Sequence, residues 1–180
     1  MPNPVLTEPR SANQPNHATR AIIVMGVSGC GKSSVGQQLA TQLNWRFADA
    51  DTYHPAANVQ KMSQGFALND DDRAPWLERL NAVLRHSVAK QEPIVLACSA
   101  LKQRYRDALG DRLNSLAFVH LSGSFDLIEA RLKQRPGHYM PTSLLQSQFA
   151  ALEATSDVLT LDISESITSL VSQIVALTKQ

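Results

Sequence analysis

Four groups of residues combine types and spacing that could do chemistry. The most specific is Gly26-Val27-Ser28-Gly29-Cys30-Gly31-Lys32-Ser33, which fills every fixed position of GxxxxGK[ST] and is followed by Ser34. Glycines permit positive φ and let backbone N–H groups converge on phosphate oxygens, and a helix opening behind them adds its positive end. In such a cradle Lys32 reaches the β- and γ-phosphates, and the Ser33 hydroxyl is a Mg²⁺ ligand. Residues 26–34 therefore predict a nucleotide site without naming a reaction, because GTPases, ATPases and motor-like machines share it. Cys30 lies inside the loop, where a helix terminus predicts a lowered thiol pKa and inactivation by thiol reagents with protection by ATP.

The second group is Asp49-Ala50-Asp51. Strand alternation predicts both carboxylates on one side of the chain, at the carboxyl end of a strand where open α/β sheets bind ligands. Asp49 then serves the magnesium side, and Asp51 accepts a proton from an attacking hydroxyl. A Walker-B acid is missing where large ATPases and GTPases carry one, since Ile94-Val95-Leu96-Ala97 runs into Cys98-Ser99. The third group is cationic: His54, Arg73, Lys102 and Arg106 suit an acidic polyol. Plainer readings stay open for each. His54 caps a turn before Pro55, Arg73 pairs with Asp70 at a helix start, and Lys102 and Arg106 share a solvated helix face.

The fourth group is Arg131 and Arg135, one helical turn apart, followed by Pro136-Gly137-His138-Tyr139-Met140-Pro141. This is the composition of a lid near 131–141 that closes over ATP and brings arginines to the transferring phosphoryl, the alternative being an ordinary basic helix end. His138 joins the substrate-binding set. Cradle, paired acids and lid together describe phosphoryl transfer to a hydroxyl.

The elements that position these groups follow from periodicity. Ile22-Ile23-Val24-Met25 reads as a buried strand, and Val35, Leu39 and Leu43 as one helical face. A second strand ends at the two acids. Helices are expected over 57–64, 73–90 (with Pro75 in its first turn), 101–113, 124–134, 142–153 and from Ile167 onward. Three further strands are expected at Ile94–Cys98, Leu116–Leu121 and Val158–Ile163. Strands alternating with helices predict a three-layer α/β fold around a parallel sheet of about five strands.

The 180 residues suit one domain over 21–180, and the proline-rich stretch 1–20 lacks periodicity and reads as a disordered tail. Neither a secretory nor a transit signal is recognisable, so the cytoplasm is expected. A 43% hydrophobic fraction without a spanning run argues against membrane insertion. A net charge of +1 gives no global field for nucleic acid. Cys30 and Cys98 cannot build a disulfide framework.

Several blocks resemble the gluconokinase family: Asp49-Ala50-Asp51-Thr52-Tyr53-His54-Pro55, Leu68-Asn69-Asp70-Asp71-Asp72-Arg73, Pro75-Trp76-Leu77, Cys98-Ser99-Ala100-Leu101-Lys102, Arg131–Met140 and Ser147-Gln148-Phe149 with Leu152-Glu153. The resemblance spans about residues 21–165. It implies a P-loop kinase fold like that of nucleoside-monophosphate kinases, ATP and Mg²⁺, 6-phospho-D-gluconate as product and a homodimer. It also implies a place in sugar-acid catabolism at the pentose-phosphate or Entner–Doudoroff entry. The family often has Ser or Thr at position 30 and glycine at position 50. Two rival readings are a shikimate-type or other small-metabolite kinase, and a nucleotide-binding module without catalysis.

Overall fold

The computed structural model describes residues 18–137, 141–153 and 155–179. The expected tail up to residue 17 lies outside them, as does His138. Strand β1 (Ala21–Met25) leads through the glycine-rich loop into α1 (Lys32–Leu43), then β2 (Arg46–Asp49) and a 3₁₀ turn (Ala50–Tyr53). Helices α2 (Ala56–Ser63) and α3 (Asp70–Ala89) precede β3 (Ile94–Ala97), α4 (Gln103–Gly110), β4 (Leu116–Ser122) and α5 (Phe125–Lys133). Helix α6 (Thr142–Ala151), β5 (Leu159–Asp162) and α7 (Ile167–Leu177) complete the described order.

The five strands form one parallel sheet in the order β2-β3-β1-β4-β5, the parallel sheet of about five strands that the alternation of elements predicts. β1 lies at its centre, with Ile23 beside both Leu96 and Phe118. Alternate residues of β1 serve opposite faces, which is why the run reads as continuously apolar rather than alternating. Ile22 and Val24 pack with Leu39 of α1, Ile128 of α5 and Val171 of α7. Ile23 and Met25 face Leu80 and Leu84 of α3 and Leu109 of α4.

Helix α3 begins three residues before the expected 73. Asn69 and Asp72 form a reciprocal capping box, and Asp70, Asp71 and Asp72 occupy the first turn beside the positive helix end. Pro75 consequently falls inside the helix rather than in its first turn. Helix α4 starts at Gln103 with Lys102 as its N-cap, so Lys102 and Arg106 do not share a helix face as their spacing suggested. Among the described residues no helix is long and apolar enough to cross a membrane.

Candidate active site

The cradle hangs from the carboxyl end of β1. Gly26 has φ 144, and a Cβ there would lie 2.8 Å from the Leu121 carbonyl oxygen and 2.7 Å from Cys30 Sγ. Gly29 has φ 83 and a virtual Cβ 2.7 Å from Leu132, so both positions exclude side chains by conformation and by space. Lys32 Nζ donates to the carbonyls of Gly26 and Val27, each at 3.0 Å, which folds the cation across the loop it serves.

Cys30 corrects an expectation. Its side chain is 1% exposed, and burial pushes the thiol pKa up despite the neighbouring Lys32 and the helix start. The desolvation of a thiolate outweighs the partial charges of the loop, so the thiol packs as a small apolar group. Burial likewise pushes the Cys98 thiol up to about 12.

Ser33 Oγ donates to Asp49 Oδ2 at 3.0 Å, joining the end of the cradle to the end of β2. The other Asp49 oxygen accepts the Asp51 N–H at 3.0 Å. The strand stops at Asp49, so strand alternation does not place Asp51; the 3₁₀ turn does. That turn leaves the Asp51 side chain 89% exposed, yet both acids line one cleft of about 320 Å³ with Ser28, Lys32, Ser33, Ser99 and Arg135. Ala50, where glycine is common in the family, is absent from the positive-φ positions, and its carbonyl accepts the Trp76 indole N–H at 2.8 Å. Alanine therefore fits without strain.

His54 lies flat on Trp76, with ring centroids 4.4 Å apart, and its Nε2 stands 4.0 Å from Asp51 Oδ1. Its side chain is 8% exposed, and burial holds its pKa below the ordinary histidine value. Its Nδ1 is buried without a hydrogen-bond partner among the described residues. Beyond it, three cations surround one aromatic ring: Arg73, Lys102 and Arg104 lie 5.6, 5.7 and 5.8 Å from the Tyr105 centroid. Arg73 is anchored on the Leu68 carbonyl at 2.6 Å. Asp70 pairs not with Arg73 but with Arg104 at 2.8 Å and Lys102 at 3.6 Å, and it accepts the Tyr105 hydroxyl proton. That hydroxyl and the two cations hold the Asp70 carboxyl below its ordinary pKa.

Arg106 belongs elsewhere. It is 3% exposed and donates to the carbonyls of Ala100 at 2.9 Å and Leu101 at 3.1 Å, and to Gln103 Oε1 at 3.0 Å. Ala100 has φ 45, a left-handed conformation that costs a non-glycine residue about 1 kcal/mol. Arg106 thus holds the turn that presents Lys102, and the structure removes it from the substrate-contacting set.

The two lid arginines separate as well. Arg131 donates to the Ile163 carbonyl at 2.6 Å and lines a second cleft of about 320 Å³ behind the cradle, with Ser34, Glu165, Ser166 and Ile167. Arg135 is exposed and borders both clefts. Only Arg135 therefore shares the cleft of the two acids.

This geometry can be set beside known proteins. Residues 28–175 match the family model described as shikimate kinase. The thermoresistant gluconokinase of Escherichia coli (strain K12) is 41% identical over 169 residues, covering 92% of this chain and 97% of that protein. The chain belongs to the gluconokinase family. The gluconokinase of Gluconobacter oxydans (strain 621H) is 50% identical over 139 residues, covering 77% of this chain and 78% of its own. The crystal structure of a gluconokinase from Sinorhizobium meliloti 1021 superposes with TM-score 0.79 at 40% identity, covering 91% of this chain and 94% of that one. A shikimate kinase structure from Bacteroides thetaiotaomicron reaches TM-score 0.64 at 20% identity over 89% of this chain and 98% of its own, a likeness of fold alone.

Sequence reasoning passed over Tyr105 and Arg104, which follow closely on the Cys98-Ser99-Ala100-Leu101-Lys102 block. Their signal was an aromatic flanked by cations at 102, 104 and 106, which spacing alone reads as a basic helix start.

Proposed function

We propose that the chain transfers the γ-phosphoryl group of ATP to the terminal hydroxyl of D-gluconate, giving 6-phospho-D-gluconate and ADP. The carrying observation is that Asp51 lines the cleft formed by Lys32 and Ser33, which puts a carboxylate beside the phosphate cradle. In this reading Asp51 takes the proton of the acceptor hydroxyl as its oxygen bonds to the γ-phosphorus. The bond to the β–γ bridging oxygen breaks, and ADP leaves with that electron pair. Lys32 and Arg135 supply positive charge where the transferring group gains negative charge.

Arg73 and Lys102 hold the sugar-acid carboxylate. His54, whose Nε2 stands 4.0 Å from Asp51 Oδ1, joins the acceptor-binding set from beside the proposed base. The cradle loop from Gly26 through Ser34, Cys30 included, encloses the phosphates, and Arg131 contributes to nucleotide binding from the second cleft behind it. His138 remains part of the substrate-binding proposal on the family resemblance.

Ser33 Oγ and Asp49 Oδ2 are hard oxygen donors 3.0 Å apart, a set that suits Mg²⁺, which keeps several of its waters and borrows oxygens from phosphate. Bound there with the nucleotide, the ion would neutralise charge on the β- and γ-phosphate oxygens. A single domain over 21–180, a cytoplasmic location and a homodimer complete the reading. The exposed Val59, Met62 and Phe66 on and just after α2 favour self-association, and sedimentation velocity tests it.

A coupled ADP-release assay over gluconate, other sugar acids, shikimate and no acceptor tests the proposal. We expect gluconate to dominate and the acceptor-free rate to be small. Dominance of shikimate would support the other small-metabolite reading, and no stimulation by any acceptor would support a nucleotide-binding module.

A further inference from the structure

Helix α6 carries the chain from the region after Arg135 back toward β5, and two groups at its carboxyl end reach in different directions. Gln148 reaches the cradle. Its Oε1 accepts the Ser28 N–H at 2.7 Å, and its Nε2 donates to Ser28 Oγ at 3.0 Å. Five residues later, just past the helix, Glu153 takes hold of the loop after β3. Its main-chain N–H donates to the Leu101 carbonyl at 2.9 Å, and its Oε2 accepts the Gln103 N–H at 2.7 Å.

These contacts join segments far apart in sequence. Ser28 lines the cleft that holds Asp51, and the loop from Ala100 to Gln103 presents Lys102 to the cation cluster. The helix between them is itself secured: Leu145 is 1% exposed, Thr142 Oγ1 donates to Glu129 Oε1 at 2.8 Å, and Phe149 tilts against Phe125 with centroids 5.5 Å apart. A side-chain amide gripping both the N–H and the hydroxyl of one residue fixes a peptide plane as well as a position. The Ser28 N–H is thereby satisfied by protein rather than committed to phosphate, so the grip shapes the mouth of the cradle without contacting the reacting atoms.

We propose that Gln148 and Glu153 are positioning residues that hold the phosphate cradle and the acceptor-side loop in register through the end of α6. Ångström-scale misplacement of two reactants is costly in rate, so a strut spanning both halves acts on turnover more than on the stability of either. The proposal rests on the kinase reading above, and its test contains a part that does not.

Gln148→Met keeps the side-chain volume and the helix propensity while deleting both hydrogen bonds. We expect kcat with gluconate to fall about tenfold, the loss of two ordinary hydrogen bonds, while KM for gluconate changes less than about twofold. The dissociation constant of a fluorescent ADP analogue should rise severalfold, and the melting temperature should stay within about 2 °C of wild type. Ser28→Ala removes one of the two contacts and should cost less. Adding it to Gln148→Met should cost little more, because the two residues share the interaction. Glu153→Ala should lower kcat and also raise KM for gluconate.

Wild-type turnover and ADP affinity in Gln148→Met would overturn the proposal. So would a loss of activity that merely follows a lowered melting temperature. If wild type fails to phosphorylate gluconate, the functional reading falls, and the ADP titration still decides whether Gln148 shapes the cradle.

Discussion

The nucleotide cradle and the proposed acceptor side are built by different means. The cradle is one local segment made of main chain: glycines at positive φ, a helix start, and a lysine folded over its own loop. The proposed acceptor side draws on side chains from separate segments, with Asp51 and His54 around the 3₁₀ turn, Arg73 on α3, and Lys102 and Tyr105 at the start of α4. Main-chain sites depend on conformation and forgive changes in side chain, as the buried Cys30 illustrates. Side-chain sites depend on identity and fail one residue at a time.

The sharpest way to break this contrast is Asp51→Asn. We expect kcat to fall between about 10²- and 10⁴-fold, the range for losing a general base, with ADP affinity unchanged. A loss under tenfold would move the proton acceptor elsewhere. Arg135→Ala comes next, with turnover lowered about 10²-fold and ATP affinity much less affected. Arg131→Ala should show the reverse, weakening nucleotide affinity more than turnover, because Arg131 borders only the second cleft whereas Arg135 also borders that of the two acids. Equal kinetic profiles for the two variants would erase the division between clefts.

A third comparison stays within the proposed acceptor side. Arg73→Ala should raise KM for gluconate about tenfold or more and leave folding stability within about 0.5 kcal/mol. Arg106→Ala should cost about 2 kcal/mol of stability, because it strands the carbonyls of the left-handed turn at Ala100. Chemical denaturation beside steady-state kinetics separates the pair.

The smallest effect concerns pH. Burial lowers the His54 pKa in the folded state below the unfolded value near 6.5. As pH falls through that value the unfolded chain takes the proton first, so stability present above about pH 6.5 declines below it. Buried His120 carries a shift of the same sign. His54→Phe keeps a ring on Trp76 and should flatten the decline in unfolding free energy between pH 7.5 and 5.5 without abolishing it. An unchanged slope would show that His54 does not contribute.

The same contrast explains what could be read from sequence. The cradle, the parallel sheet and most helices were legible because their signals are local: fixed glycine spacing, apolar runs at β1 and β3, and the helical face of Val35, Leu39 and Leu43. The start of α3 was displaced because its capping residues, Asn69 and Asp72, precede the first apolar position at Trp76. Arg106 was misassigned because spacing along α4 cannot tell whether a guanidinium faces ligand or the carbonyls of its own loop. Arg131 and Arg135 looked equivalent by spacing, and only the course of α5 past Ile163 distinguishes them. The Cys30 thiol was misjudged because local dipoles are visible in sequence and desolvation is not.

The most direct test of the central claim is the identity of the product formed from ATP and D-gluconate, followed by phosphorus and carbon NMR. The account predicts a phosphomonoester on the terminal primary hydroxyl in one-to-one ratio with ADP. Inorganic phosphate in place of an ester, or an ester at another carbon, would contradict it.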